Sequence, residues 1–295
     1  LGLAEVAYQN SLAYAKDRIQ GRSLTGVKSK DKAADPIIVH PDVRRMLLTQ
    51  KAYVEAARAF SYWAGLAIDR EHKHPDEKVR KENADLVALL TPVIKGFITD
   101  NGYDSTTLAM QVLGGHGYIA EWGLEQHVRD ARINMIYEGT NTIQALDLLG
   151  RKVLGDMGAK LMKFGKAMQD TLKPFSENPA MQEFLAPLNS LQSEVQKLTM
   201  EIGQKAMKNP DEAGAAAVPY LRIIGHLVFS FAWCISAGVA MRRLAEGAGT
   251  DETFYKAKLT TARFYFAKLY PETASLMQQA RAGASTLMAL EEAAF

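Results

Sequence analysis

The sequence lacks several features that define large classes of protein. It has one cysteine, Cys234, so an internal disulfide bond and a metal site built from several cysteines are excluded. The net charge is only +2 over 295 residues, which gives no reason to propose nucleic acid or an anionic membrane as a partner. No signal-peptide pattern precedes the first apolar segment. Because that segment begins at once with Leu1, we expect the chain to start within a longer protein.

Long runs that alternate between polar and apolar residues are also absent, whereas apolar residues recur at helical spacing along most of the chain. The predicted fold class is therefore all-α. Helices are predicted over residues 1–19, 40–70, 84–113 and 124–133, and over a segment from about Asn141 to Leu154. Within 84–113 we expect a junction between two helices near Asn101 and Gly102.

The character of the sequence changes after Leu154, where glycine and methionine become frequent and polar breaks separate further helical segments. This change predicts two domains, 1–154 and 155–295, the second being a bundle of about four helices. The most apolar run, 227–241, is shorter than a membrane span usually needs, so we predict a buried bundle helix and no transmembrane segment. His226 and Cys234 are predicted to be core residues.

A charged segment, 71–83, interrupts the helices and carries His72 and His74 two residues apart. As metal ligands these histidines would need partners that are not visible nearby. We interpret the segment as a solvated loop and predict no metal site.

Glu138 stands just before a predicted helix, between an aromatic residue and a glycine. Asn141 and Gln144 have the spacing of a capping box, with Thr140 as an alternative cap, so the helix should begin within a residue or two of Asn141. Glu138 would then lie near N–H groups that the helix leaves free. Such a carboxylate either complements the positive end of the helix or acts as a base, and the local pattern leaves both interpretations open.

Two other segments could bind an anion. The glycines of "GGHG" (114–117) would let backbone amides approach a pyrophosphate, but they would also make a plain helix stop and turn. The segment matches neither the Rossmann nor the P-loop fingerprint. Arg18, Gln20 and Arg22 cluster at the end of the first helix, where cations either bind phosphate or complement the helix dipole.

Taken together and in this order, "YAKDR", "QVLGGHGY" with "RDARI", and "YEGTNTIQ" closely resemble the C-terminal helical domain of acyl-CoA dehydrogenases. The resemblance covers residues 2 to about 154, and its last two motifs are highly specific to that family. Residues 155–295 resemble the extra C-terminal helical domain of longer bacterial members, among them enzymes of the 3-methylmercaptopropionyl-CoA dehydrogenase type.

The resemblance implies an oxidoreductase of fatty acid β-oxidation that removes an α-proton and a β-hydride from an acyl-CoA thioester, giving a trans-2-enoyl-CoA. It also implies FAD as cofactor, electron-transfer flavoprotein as electron acceptor, at least a homodimer, and a location in the bacterial cytoplasm. Glu138 falls on the catalytic base of the family. Removing a carboxylate from water makes it a stronger base, which a weakly acidic thioester α-proton requires. Gly139 would leave room for the substrate.

The resemblance also assigns cofactor contacts. The residues that match contacts to the FAD of a neighbouring subunit are Arg18, Gln20, Gln111, Gly114 and Gly115. Thr140 and Thr142 would instead flank the flavin that the same subunit holds. The sequence departs from the family in three places: the usual Phe-Gly after Gln20 is absent, Pro41 replaces a Gln, and Thr142 replaces a frequent Gln or Glu.

The N-terminal helical domain and the middle β-domain of the family have no counterpart in these 295 residues. We expect them upstream in a parent protein, and we expect the chain alone to bind FAD poorly and to turn over no substrate. Two alternatives stay open. One is a helical scaffold or dimerisation module without catalysis; the other gives 155–295 a separate role, such as closing a substrate channel, completing a dimer or docking on a membrane.

Overall fold

The computed structural model describes all 295 residues and contains eleven α-helices. The first six are α1 (Gly2–Asp17), α2 (Pro41–Lys73), α3 (Glu77–Leu113), α4 (Gly115–Tyr118), α5 (Leu124–Ile133) and α6 (Asn141–Leu146), the last continued by a π-helical segment, Asp147–Val153. The remaining five are α7 (Ala159–Leu172), α8 (Gln182–Ala206), α9 (Asp211–Ala245), α10 (Glu252–Phe264) and α11 (Glu272–Ala282). The structure has no β-strand, only an isolated bridge between Ile19 and Pro36, so the predicted all-α class is confirmed.

The charged interruption between α2 and α3 is shorter than predicted, because only residues 74–76 leave the helical conformation. Lys, Glu and Arg are good helix formers, so charge alone does not end a helix, whereas Pro75 does. His74 accepts a hydrogen bond at Nδ1 from the backbone N–H of Asp76 (3.1 Å), and no group of metal-binding side chains forms in this segment.

The junction expected near Asn101 and Gly102 was wrong, since α3 runs through both residues without a break. A glycine inside a helix costs about 1 kcal/mol relative to alanine, which burial of the neighbouring residues offsets. Asn101 is buried, as are Ser105 and Thr106 further along the helix, so these polar residues lie on the inner face of α3.

The chain divides into two compact units that cut across α2 and α3. Unit 1 comprises Leu1–Arg58 and Ile98–Tyr137, and unit 2 comprises Ala59–Phe97 and Glu138–Phe295. The two predicted domains, 1–154 and 155–295, do not correspond to these two units, and the predicted boundary stays a prediction.

The core of unit 1 joins the start of α2 and the end of α3 to α1 and α5. Its buried apolar residues are Ala7, Ala15, Ile37, Met46, Leu47, Ala109, Val112, Leu113 and Leu124. These residues fix α1 against the segment that leads into α4, which decides where the two predicted anion-binding motifs lie.

Helix α9 forms the centre of unit 2 and packs against α6, α7, α8, α10 and α11. It is long and apolar enough to cross a membrane, with a mean hydropathy of 1.8 over its most apolar 18 residues, but 83% of that window is buried inside the structure. The predicted burial of His226 and Cys234 is confirmed, since both have 0% exposure. Core packing therefore accounts for the apolar character of this helix.

The buried His226 is satisfied by polar partners on neighbouring segments. Its Nδ1 lies 3.0 Å from the hydroxyl of Tyr265, and its Nε2 lies 3.0 Å from a carboxylate oxygen of Glu272. Arg222 donates to both oxygens of Glu272 at 2.9 Å. Burial lowers the pKa of His226, so the imidazole is a neutral hydrogen-bonding group in this core.

Candidate active site

The end of α1 presents two of the predicted anion-binding side chains. Beyond Asp17 the backbone turns extended at Arg18, and residues 18–21 pair with 35–37 through hydrogen bonds such as Gln20 N–H to the Asp35 carbonyl (2.9 Å). The side chains of Arg18 and Gln20 are exposed and make no hydrogen bond or ion pair within the chain. They are therefore available to an anionic ligand.

Asp35 organises the loop that follows, residues 21–35. It has 0% exposure, and its carboxylate accepts hydrogen bonds from the backbone N–H groups of Ser23 (2.9 Å), Lys28 (3.0 Å) and Ser29 (2.7 Å). These donors, Ser23 above all, lower the pKa of Asp35 to about 2. The loop is thus folded around one buried anion and keeps this charge at any ordinary pH.

Arg22 is exposed at the surface but forms hydrogen bonds within the same loop. Its guanidinium donates to the carbonyls of Ser29 (3.0 Å) and Lys32 (2.6 Å) and to the Asp35 carboxylate (3.3 Å). Of the three clustered polar residues, Arg18 and Gln20 are thus open to a ligand, whereas Arg22 holds the loop.

Asp35→Asn is expected to loosen this loop. Both carboxylate oxygens accept from N–H groups, so an amide NH₂ in either orientation would face a donor and leave it unpaired. We expect limited trypsin digestion to cleave the chain between residues 22 and 32 about tenfold faster, because local opening controls cleavage. Asp31→Asn is the matched control, since Asp31 is exposed and accepts no hydrogen bond. Equal cleavage of the two variants would show that Asp35 does not hold the loop.

The "GGHG" glycines have two different roles. Gly114 has φ +60° and ψ −137°, and a Cβ on either Gly114 or Gly115 would meet no atom within 4 Å. At Gly117, by contrast, a Cβ would lie 2.4 Å from the carbonyl oxygen of Met110. Gly117 is therefore required for packing, whereas Gly114 and Gly115 are exposed. The N–H of Gly114 donates to the Gln111 carbonyl (3.0 Å).

Tyr14 and His116 connect the two motifs of unit 1. The Tyr14 hydroxyl lies 2.9 Å from His116 Nδ1, and the imidazole stacks on Trp122 with 5.3 Å between ring centroids. The N–H of Arg18 in turn donates to the Tyr14 carbonyl (2.8 Å). The structure thus brings the end of α1 together with the glycine segment, as a shared phosphate site requires. Gln111, which precedes that segment on α3, also has an exposed side chain.

Glu138 lies in unit 2 on an exposed turn with unusual backbone geometry. Its φ is +55° and that of Gly139 is +80°, so a left-handed non-glycine residue is followed by a left-handed glycine. The left-handed region is uncommon for residues with a side chain and recurs at functional sites. The Glu138 carboxylate accepts no hydrogen bond within the chain, neither from α6 nor from elsewhere.

Helix α6 begins at Asn141 as predicted, but the alternative cap, Thr140, is the one used. The Thr140 hydroxyl accepts from the N–H of Ile143 (3.4 Å). Gln144 does not complete a capping box, because its side chain donates to the carbonyl of Glu138 (3.3 Å). Thr142 is exposed on the first turn of the helix.

Lys95 of α3 donates hydrogen bonds to this turn and was not predicted from the sequence. Its Nζ donates to the carbonyl of Gly139 (2.9 Å) and to Oδ1 of Asn141 (2.7 Å). The amide of Asn141 also donates to the carbonyl of Gly96 (3.2 Å), which explains why Asn141 does not cap the helix. The only signal in the sequence is a lysine inside the apolar run "PVIKGF".

The predicted site residues fall into two sets, one in each unit. Arg18, Gln20, Gln111, Gly114 and Gly115 belong to unit 1, and Glu138, Gly139, Thr140 and Thr142 belong to unit 2. Unpartnered cationic and amide side chains beside two exposed glycines fit the phosphates of a dinucleotide cofactor. A free carboxylate on a turn at a helix entrance fits a proton acceptor.

An all-α fold with these motifs defines a C-terminal portion of an acyl-CoA dehydrogenase. The family model described as "Acyl-CoA dehydrogenase, C-terminal domain" matches residues 1–154, and the model described as "Acetyl-CoA dehydrogenase C-terminal like" matches residues 164–291. The chain belongs to the acyl-CoA dehydrogenase family.

Individual relatives agree with this assignment. The chain is 39% identical to 3-methylmercaptopropionyl-CoA dehydrogenase of Ruegeria pomeroyi, over 90% of this chain and 44% of the relative. It is 32% identical to the broad-specificity linear acyl-CoA dehydrogenase FadE5 of Mycobacterium tuberculosis, over 98% of this chain and 48% of the relative. The chain therefore spans about half the length of the curated relatives it matches.

A solved structure shares the fold. An acyl-CoA dehydrogenase from Bacillus anthracis, determined in complex with FAD, superposes with a TM-score of 0.69 at 22% identity, over 99% of this chain and 47% of that one. This likeness supports the helical architecture and carries no detail of the site.

Proposed function

We propose that this chain is the C-terminal part of an FAD-dependent acyl-CoA dehydrogenase in which Glu138 removes the α-proton of an acyl-CoA thioester. The observation that carries the proposal is the Glu138 turn, where a carboxylate without an internal partner stands on a left-handed turn. The turn lies within the region that the acyl-CoA dehydrogenase model matches. A carboxylate already paired in the fold would have to break that pairing before it could accept a proton.

The chemistry divides between the chain and its cofactor. The Glu138 carboxylate takes the α-proton, and the backbone N–H of the same residue donates to the thioester oxygen as negative charge develops there. FAD, when bound, supplies the acceptor for the β-hydrogen and its electron pair, so that a trans-2-enoyl-CoA is released. Glu138 is exposed in this chain, so the water-free surroundings that strengthen a carboxylate base must come from other parts of the protein.

The proposal includes the binding groups and partners. Arg18, Gln20, Gln111 and the backbone at 114–115 would hold the phosphates and adenosine of the FAD of a neighbouring subunit, while Thr140 and Thr142 would flank the flavin of their own subunit. A homodimer is then the smallest complete unit. Electron-transfer flavoprotein would reoxidise the cofactor in the bacterial cytoplasm, and residues 155–295 would form a separate helical domain.

An absorbance scan followed by acyl-CoA addition tests the proposal. The full-length parent protein is expected to carry about one FAD per subunit, and acyl-CoAs of graded length and branching should bleach the flavin without oxygen. The chain alone is expected to be colourless and inactive. A parent protein that binds no FAD, or whose flavin no acyl-CoA reduces, would refute the proposed activity. Stoichiometric FAD and turnover in the chain alone would refute the need for other domains.

A further inference from the structure

The turn that carries Glu138 depends on contacts from a distant part of the chain. Glu138 and Gly139 both have positive φ, at +55° and +80°. An isolated turn of this kind would relax to other conformations, because a side chain at positive φ is disfavoured. The position of the Glu138 carboxylate is therefore set by whatever fixes the backbone on both sides of it.

Two hydrogen bonds reach the backbone of this turn directly, one from Lys95 of α3 and one from Gln144 of α6, and two more join the side chain of Asn141 to α3. Lys95 donates to the Gly139 carbonyl at 2.9 Å and to the Asn141 side chain at 2.7 Å, and Asn141 donates to the Gly96 carbonyl at 3.2 Å. Gln144 of α6 donates to the Glu138 carbonyl at 3.3 Å. Lys95 is thus the charged group that ties the turn to α3, and a bond from an ammonium group is stronger than one between neutral partners.

Helix α9 in turn holds this part of α3. A Cβ on Gly225 would lie 2.2 Å from the Phe97 ring, and a Cβ on Gly96 would lie 2.9 Å from Leu221, so the two helices meet in close contact. The Arg222 guanidinium lies 5.6 Å from the centre of the Phe97 ring. Gly96 and Phe97, the two residues that follow Lys95 in the chain, are therefore packed directly against α9.

We propose that Lys95 is a positioning residue for the base Glu138, and that α9 of the C-terminal bundle supports it by seating Gly96 and Phe97. This inference rests on the proposed function of Glu138 and gives the bundle a role in the reaction. Helix α9 also packs directly on α6, so both helices that donate hydrogen bonds to the Glu138 turn, α3 and α6, contact α9. The bundle acts here through α3 and α6, without a side chain of its own at the reacting atoms.

The test uses the full-length parent protein with FAD bound and follows flavin reduction by acyl-CoA in an anaerobic stopped-flow instrument. Lys95→Met keeps the aliphatic stem but removes the donors, and Lys95→Arg restores a cationic donor. We expect Lys95→Met to slow flavin reduction at saturating acyl-CoA at least tenfold, with little change in the half-saturating concentration, since substrate binding does not require the exact aim of the base. Lys95→Arg should recover most of the rate.

The control is Lys166→Met, because Lys166 is exposed on α7 and makes no ion pair. The flavin of this variant should be reduced by acyl-CoA at the wild-type rate. A wild-type rate in Lys95→Met would overturn the positioning role while leaving the proposed activity in place, and so would a loss that Lys95→Arg fails to recover. A loss explained by released FAD or by unfolding at the assay temperature would also overturn it. If the wild-type parent itself shows no flavin reduction, the proposed function fails, and this inference fails with it.

Discussion

Glu138→Gln in the full-length parent protein is expected to abolish flavin reduction by acyl-CoA while FAD stays bound. The amide has the shape of the carboxylate but cannot accept a proton, and general base catalysis contributes roughly 10²–10⁴-fold to a rate. Because the Glu138 side chain is exposed and makes no hydrogen bond, the substitution removes nothing that the fold uses. The measurement is the rate of anaerobic flavin bleaching, together with the flavin content and the unfolding temperature.

Glu121→Gln is the matched control for this substitution. Glu121 is also an exposed carboxylate without a partner, in the turn between α4 and α5, and its loss should leave the rate unchanged. An unchanged rate of flavin reduction in Glu138→Gln would show that Glu138 is not the base. It would favour the alternative that the chain is a helical scaffold derived from the family.

The candidate site was predictable from the sequence where local rules decide the structure. The start of α6 at Asn141 and the extent of α5 over Leu124–Ile133 follow from capping residues and apolar spacing within a few positions. The choice of Thr140 over Asn141 as the cap did not follow, because Lys95, far away in sequence, recruits the Asn141 side chain. A contact across so many residues leaves no periodic or spacing signal.

The same distinction applies to the basic cluster after α1. From the sequence, Arg18, Gln20 and Arg22 are equal candidates for an anion site, since each stands at the end of the same helix. Only the folded loop shows that the Arg22 guanidinium donates hydrogen bonds to Asp35 and to the carbonyls of Ser29 and Lys32. The burial of Asp35 could not be predicted, because an aspartate in a lysine-rich, glycine-containing loop is normally solvated.

Gly225→Ala is expected to destabilise unit 2 by about 2 kcal/mol or more, since overpacking a close contact typically costs 1–3 kcal/mol. The added Cβ would lie 2.2 Å from Cγ and 2.3 Å from Cδ2 of Phe97. Phe97 has no room to withdraw, because its ring is buried against His226 and Phe229 with centroids 5.1 and 4.8 Å away. The gain in helix propensity from glycine to alanine is about 1 kcal/mol and does not offset this clash.

Gly214→Ala on the same helix separates the gain in helix propensity from the steric clash. A Cβ there would meet no atom within 4 Å, so this variant should be more stable than the wild type by about 0.5–1 kcal/mol. Urea unfolding followed by tryptophan fluorescence measures both, since Trp63 and Trp233 lie in unit 2. If Gly225→Ala were as stable as Gly214→Ala, α3 and α9 would not be in close contact at Phe97. The proposed support of Lys95 by α9 would then lose its physical basis, although the hydrogen bonds from Lys95 to the Glu138 turn would remain.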